Sequence, residues 1–275
     1  MKTRILVAVI AIPLLVLVIF FTPVWCLAAV VGIIAALSAW ELLACTAQDT
    51  PSIMRAACAV VAFAIAILTP FCDTGRLYAA MLFVVFAGAF GFLMLSFSAE
   101  APLRLEAVVM CIFAGGVLPV LLSSIIRLGM RENGAVLALL PFIVAFASDS
   151  GGYFGGYLFG KHKLVPRLSP NKTIEGSIGG FVCAIALVII YGFVLKTADF
   201  TVNFAVLTVY GFLGSLACQL GDLSFSAIKR ICAIKDYGNL IPGHGGMLDR
   251  FDSMFWTAAV IEMLVGWVCA VQMIA

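Results

Sequence analysis

Apolar runs of about twenty residues follow one another from end to end of this chain and dictate what it can fold into. A run of that length crosses the hydrocarbon core of a bilayer as a helix. In lipid only helices and closed barrels pair all their backbone N–H and C=O groups. The runs here are rich in Ala and Leu and do not alternate apolar with polar residues, so barrel strands are not expected. Hydrophobic residues make up 64% and charged residues 11% of the 275, and the mean hydropathy is +1.19. Soluble domains carry about 45–50% apolar and about 25% charged residues. A soluble globule and a disordered chain are both excluded. The expected fold is all-α, a polytopic bundle of membrane helices.

We read nine spans: Ile5–Phe21, Val24–Cys45, Met54–Phe71, Leu77–Phe97, Leu105–Ile126, Gly134–Leu158, Ile174–Leu195, Thr201–Ile231 and Phe251–Ile274. Lys2 and Arg4 ahead of the first run imitate a signal peptide, but the second run follows almost at once, which fits an uncleaved first helix. With these spans, twelve of the sixteen Lys and Arg fall on the side of the N-terminus, and four (Arg76, Arg127, Arg131 and Lys196) on the other. The positive-inside rule then predicts a multi-pass protein whose N-terminus and charged loops are cytoplasmic and whose C-terminus is on the opposite side. A net charge of only +2 gives no basic surface for nucleic acid. The nine cysteines stand singly, with no C-x-x-C and no Cys/His ligand spacing, and read as small buried hydrophobes.

The polar residues are unevenly spread. Residues 1–133 read as lipid-facing scaffold helices on short loops, and Glu41 beside Trp40 reads as an interfacial residue. Residues 134–275 read as a catalytic region with cytoplasmic loops, its polar groups gathered between Ala147 and Asp252. Three stretches stand out. In the first, Ser148-Asp149-Ser150-Gly151-Gly152-Tyr153-Phe154-Gly155-Gly156, an acid inside a span costs about 2.5–3.5 kcal/mol unless it faces a partner or water. The paired glycines allow close approach of another helix or of a ligand. The second, Lys161 to Gly176, is the longest loop on the cytoplasmic side before the seventh span. There Ser169-Pro170-Asn171-Lys172-Thr173 reads as a turn into a helix capped by Asn171 or Thr173, next to Arg167, with Glu175 in its first turn. In the third, Gln219, Asp222, Ser226 and Lys229 share one helical face, followed by Arg230, Lys235, Asp236 and then Asp249, Arg250 and Asp252.

Together these stretches gather carboxylates at 149, 222, 249 and 252, with 236 nearby, and cations at 167, 172, 229, 230, 235 and 250. Hard oxygen ligands suit Mg²⁺, which takes one or two carboxylates plus substrate phosphates. Lys and Arg suit phosphate oxygens. No thiolate or imidazole cluster argues for zinc, and His162 and His244 are the only histidines. There is no G-x-x-x-x-G-K-[ST] phosphate loop. The chemistry that fits is metal-assisted phosphoryl or nucleotidyl transfer where lipid headgroups meet the cytosol.

The stretch from Ser226 through Lys229-Arg230 and Lys235-Asp236 to Ile241-Pro242-Gly243-His244-Gly245-Gly246-Met247-Leu248-Asp249-Arg250-Phe251-Asp252 closely resembles the signature of the phosphatidate cytidylyltransferase (CDP-diacylglycerol synthase) family, with no departure at its fixed positions. Ser169-Pro170-x-Lys172-Thr173-x-Glu175-Gly176 and Gln219-x-Gly221-Asp222 resemble two further motifs of that family, whose helix count is also similar. The resemblance implies a homodimer of polytopic helical subunits and a reaction of CTP with phosphatidate giving CDP-diacylglycerol and pyrophosphate. It implies Asp222 and Asp249 as ligands of Mg²⁺, with room for a monovalent ion beside it, and Asp252 in support. Lys172, Lys229 and Arg230 are then expected on phosphates, with His244 on a loop over the nucleotide. Ser169, Thr173, Glu175, Ser226, Arg250, Arg167 and Asp149 are expected to line the substrate pocket. Two other readings stay open: a CTP-using enzyme acting on another lipid phosphate or a polyprenol, and an ion-coupled transporter built on Asp149 and Asp222.

Overall fold

The computed structural model describes residues 13–97, 103–239 and 245–273. Its helices are α1 (Val24–Thr46), α2 (Ser52–Leu68), α3 (Thr74–Ser96), α4 (Leu105–Gly129), α5 (Gly134–Phe159), α6 (Ile174–Lys196), α7 (Phe204–Ile231) and α8 (Leu248–Trp267). Its short strands are β1 (Lys163–Val165), β2 (Ser169–Thr173), β3 (Phe200–Val202) and β4 (Val271–Met273). Among the described residues six helices, α1 and α3 to α7, are long and apolar enough to cross a membrane, which makes this a multi-pass integral membrane protein. α2 is an apolar helix of 17 residues. α8 is 20 residues long but carries Asp249, Arg250, Asp252 and Glu262. The first expected span, Ile5–Phe21, falls within the described residues only from 13, and 13–21 is helical.

The chain divides into two compact units, Met1–Met130 with Ile231–Phe251, and Arg131–Arg230 with Asp252–Ala275. In the first unit α1 and α2 form a hairpin. Leu27, Val31, Ala35 and Leu42 bury one face of α1 at helical spacing, and Met54, Cys58, Ala62 and Ile65 bury one face of α2. α3 starts on an Asp73 cap, whose carboxylate accepts the Arg76 N–H at 2.9 Å. Only Leu77, Val85 and Ala89 of α3 are buried, so most of its surface is apolar and open, as a lipid-facing helix requires. α4 widens into a π-helical turn at Phe113–Val117. Pro119 accounts for it: its ring has no N–H and would strike the carbonyl four residues back, so the ladder loosens there.

In the second unit α5 and α6 lie against each other, joined by the antiparallel β1–β2 hairpin, which pairs Lys163 with Thr173 and Val165 with Ser169. The expected turn at Ser169–Thr173 is therefore a strand leading directly into α6. β3 pairs antiparallel with β4, and the Asn203 N–H donates to Ala270 O at 2.9 Å. Two span limits move as a result. α7 begins at Phe204 rather than Thr201, and the last helix ends at Trp267 rather than Ile274. Hydropathy cannot separate a three-residue strand from the end of an apolar helix. The Tyr210 hydroxyl donates to Val268 O and helps hold the chain just past the helix end.

Candidate active site

Glycines bring α5 and α6 together backbone to backbone. A Cβ on Gly151 would stand 2.5 Å from Gly179 O, and one on Gly179 would stand 2.6 Å from Gly151 O. Any side chain at either position would push the helices apart. The glycines of the Asp149 stretch are thus a packing seam, and it carries Asp149 past the start of α6. At that start the Thr173 hydroxyl accepts the Gly176 N–H at 3.1 Å, the expected cap. Glu175 accepts the N–H of Lys161 at 3.1 Å and of His162 at 3.2 Å, and pairs with His162 Nδ1 at 2.6 Å. Its carboxylate fastens the exit of α5 to the entry of α6.

α7 carries the polar stripe read from the sequence, and its contacts show what the stripe is for. Its upper part ties helices together. Ser148 and Ser215 share a hydrogen bond of 2.8 Å, Gln219 Nε2 donates to Ser177 O at 3.2 Å, and the Ser177 hydroxyl donates back to Gln219 Oε1. At Gly221, α8 comes so close that a Cβ would lie 2.9 Å from Trp256 Cδ1 and 3.1 Å from Asp252 O. One residue on, the stripe becomes ionic. Lys172 Nζ pairs with Asp222 Oδ2, and the Ser226 hydroxyl donates to Asp222 Oδ1 at 3.3 Å. Lys229 Nζ stands 4.0 Å from Asp252 Oδ2, with both side chains largely buried. Asp149 accepts a weak hydrogen bond from Cys218 Sγ at 3.5 Å and interacts electrostatically with Asp222 and Lys172. Asp252 interacts likewise with Asp222, Lys229 and Asp149. Asp149 is accessible to solvent although protein is dense around it.

Three carboxylates therefore face two ammonium groups. Unit charges about 4 Å apart interact by about 4 kcal/mol at an effective dielectric near 20. Among the described residues of this unit, the cluster's acids outnumber its ammonium groups, which favours an added cation. Its donors are all hard oxygens. Among the described residues no group of three His, Cys, Asp or Glu is arranged to hold a metal ion. A cation held here would complete its shell with water and phosphate oxygens, which is how Mg²⁺ is usually bound. The residues fit that ion.

Around the cluster, Arg230 Nε donates to Leu168 O at 3.3 Å and holds the β1–β2 hairpin to α7. Arg167 is exposed on that hairpin, and Ser169 is half-buried in β2. The second unit thus brings Asp149, Lys172, Asp222, Ser226, Lys229 and Asp252 together, while Thr173, Glu175 and Arg230 fix the backbone beside them.

Asp249 and Arg250 belong to the first unit. Asp249 Oδ2 accepts the N–H of Tyr237 at 2.7 Å and of Gly246 at 3.0 Å. Gly245 has φ +86°, and a Cβ on it would lie 3.1 Å from the same oxygen, so this turn needs glycine. Arg250 is exposed on the first turn of α8. His244 lies outside the described residues. Sequence reasoning missed Glu41. It is buried at 8% exposure, and accepts the N–H of Met247 at 2.9 Å and of Leu248 at 2.8 Å. The available signal was that Glu41 is the one charged residue in the 23 residues of α1.

The sequence profile of the cytidylyltransferase family matches residues 2–268. The chain is also similar to proteins named phosphatidate cytidylyltransferase. That of Staphylococcus haemolyticus is 43% identical over 135 residues, which are 49% of this chain and 51% of the relative. Those of Staphylococcus saprophyticus and Staphylococcus aureus are 39% and 42% identical over 135 residues, again 49% of this chain and 51% of theirs. In these matches the chain spans about half the length of the curated relatives.

Proposed function

The chain belongs to the cytidylyltransferase family, and from that premise we propose that it transfers the cytidylyl group of CTP to phosphatidate, giving CDP-diacylglycerol and pyrophosphate. An oxygen of the lipid phosphate attacks the α-phosphorus of CTP. The bond from that phosphorus to the oxygen bridging the β-phosphate breaks, and pyrophosphate leaves with the electron pair. The lipid phosphate is the nucleophile and is ionised at neutral pH, so no nucleophilic side chain is required. The obstacle is anion meeting anion, and the chain's task is to hold the two phosphates together against their repulsion.

The observation that carries this reading is the pairing of Lys172 with Asp222, two residues from separate motifs, inside a cluster of carboxylates and ammonium groups. Lys172 rests on a carboxylate that an arriving phosphate can replace, and Lys229 is similarly placed by Asp252. Both would exchange an acid for phosphate oxygens as substrate binds. Arg230, Arg167 and Arg250 supply further positive charge at the phosphates, with His244 over the nucleotide. Ser169, Thr173, Glu175, Ser226 and Asp149 shape the pocket. Asp222, from its place in the cluster, and Asp249, from its place in the signature, are our metal ligands, with Asp252 in support. Asp222 and Asp249 would hold Mg²⁺, which when bound would supply Lewis-acid neutralisation of the phosphate charge, with a monovalent ion beside it. Residues 134–275 carry the reacting groups and residues 1–133 the lipid-facing scaffold. The N-terminus and the charged loops face the cytoplasm, the C-terminus faces the other side, and two chains form the working dimer.

The test is incorporation of radiolabelled CTP into lipid by purified protein given phosphatidate with Mg²⁺, with EDTA, and as Asp222→Asn. Labelled CDP-diacylglycerol should appear with Mg²⁺, vanish with EDTA and fall by about 10²–10³ in Asp222→Asn. A folded wild-type protein that labels no lipid would overturn the reading.

A further inference from the structure

We propose that Glu41 is a positioning residue: its carboxylate fixes the Gly246–Leu248 turn from which Asp249 projects. The first N–H groups of a helix have no partners within it. Three successive N–H groups leading into α8 are taken by carboxylates. Gly246 N–H goes to Asp249 Oδ2 at 3.0 Å, Met247 N–H to Glu41 Oε1 at 2.9 Å, and Leu248 N–H to Glu41 Oε2 at 2.8 Å. Glu41 comes from α1, 206 residues before Met247.

Two glycines make room for it. A Cβ on Gly246 would lie 2.5 Å from Glu41 Oε2, and one on Gly238 would lie 2.6 Å from Oε1. The turn is therefore shaped around this carboxylate from both sides. Here Glu41 takes the two amides that follow Gly246, and Asp249 Oδ2 takes Gly246 and Tyr237. The direction in which Asp249 projects is thus set by an acid of a helix far away in sequence. A glutamine at 41 offers one acceptor and one donor, so one of the two amides would face an N–H. An aspartate keeps both oxygens on a shorter stem.

The function of Glu41 rests on the cytidylyltransferase reading, but its anchoring does not, so the experiment has two arms. In amide hydrogen exchange of the full-length protein in detergent, Glu41→Gln should expose the Met247 and Leu248 amides to about tenfold faster exchange. The amides of α5 and α6 should be unchanged. In CTP incorporation, the Mg²⁺ concentration for half-maximal rate should rise about tenfold, as when an outer-shell partner of a ligand is lost. Glu41→Asp should recover part of both. Unchanged exchange at Met247 and Leu248 would overturn the anchoring. A fall in kcat with no shift in Mg²⁺ dependence would overturn the positioning role, because a merely structural defect lowers only the active fraction. If Glu41→Gln does not fold, Gly238→Ala presses on the same oxygen and should give the same two shifts; wild-type values there would equally overturn the proposal. A wild type that turns over no CTP refutes the enzymatic reading, and the exchange arm still decides on Glu41.

Discussion

Asp222 and Asp252 of the second unit are held differently from Glu41 and Asp249 of the first. Asp222 and Asp252 are met by the ammonium ends of Lys172 and Lys229. In the first, Glu41 and Asp249 are met by backbone N–H groups at 2.7–3.0 Å. A lysine is a point charge on a flexible stem and can change partners. A backbone amide cannot move without its helix. Asp222 and Asp252 are thus placed for an exchange of partners, and Glu41 and Asp249 for fixity.

The sharpest way to break this contrast is to remove the acid on the exchanging side. Asp222→Asn should lower kcat by about 10²–10³, the scale of losing one electrostatic contact to a transition state. Single-turnover CTP incorporation checks it, and near-wild-type rates would remove Asp222 from the mechanism. Lys172→Met comes next. It should raise the KM for CTP or phosphatidate by about ten- to a hundredfold, as expected for a charge-assisted contact worth about 1.5–3 kcal/mol. The double variant should cost less than the two losses combined, because each residue is the other's resting partner. Strict additivity would mean that the pair seen in the structure plays no part in turnover.

How much of this was legible in the sequence follows the same division. Gln219, Asp222, Ser226 and Lys229 repeat at helical spacing, so their common face could be read from one segment alone. Thr173 as a cap is equally local. Lys172 meeting Asp222 joins segments 50 positions apart, and only the chemistry of neutralising charge and the resemblance of both motifs to one family suggested that they belong together. Glu41 was not legible. Its partners are the backbone amides of Met247 and Leu248, which any sequence would present there, so no residue type marks the pairing. The β1–β2 hairpin was missed because strands of three and five residues in a polar loop show too little alternation to register.

A smaller effect should follow from the seam that holds the exchanging side in place. Gly179→Val puts a side chain where even a Cβ would lie 2.6 Å from Gly151 O. Overpacking of this kind costs about 1–3 kcal/mol. Thermal unfolding in detergent should show the loss, with activity falling as the folded fraction falls and the KM values unchanged. A raised KM at unchanged stability would mean that the glycines face a ligand.

The smallest expected effect decides on which side of the contrast Thr173 lies. Its hydroxyl accepts the Gly176 N–H at 3.1 Å, and the residue is buried at 8% exposure, directly after the lysine that pairs with Asp222. As a cap alone, Thr173→Ala should cost about 1 kcal/mol of stability. Thr173→Ser, which keeps the oxygen, should restore it. If the hydroxyl also meets substrate, the alanine variant will raise KM beyond what its stability explains, and serine will restore KM as well. If the threonine methyl is what matters, serine will recover the melting temperature but not the KM: that methyl carbon, Cγ2, would stand 3.0 Å from a Cβ on Gly160, at the end of α5. The serine variant therefore separates a residue that only fixes the backbone, as Glu41 does, from one that helps Lys172 hold a phosphate.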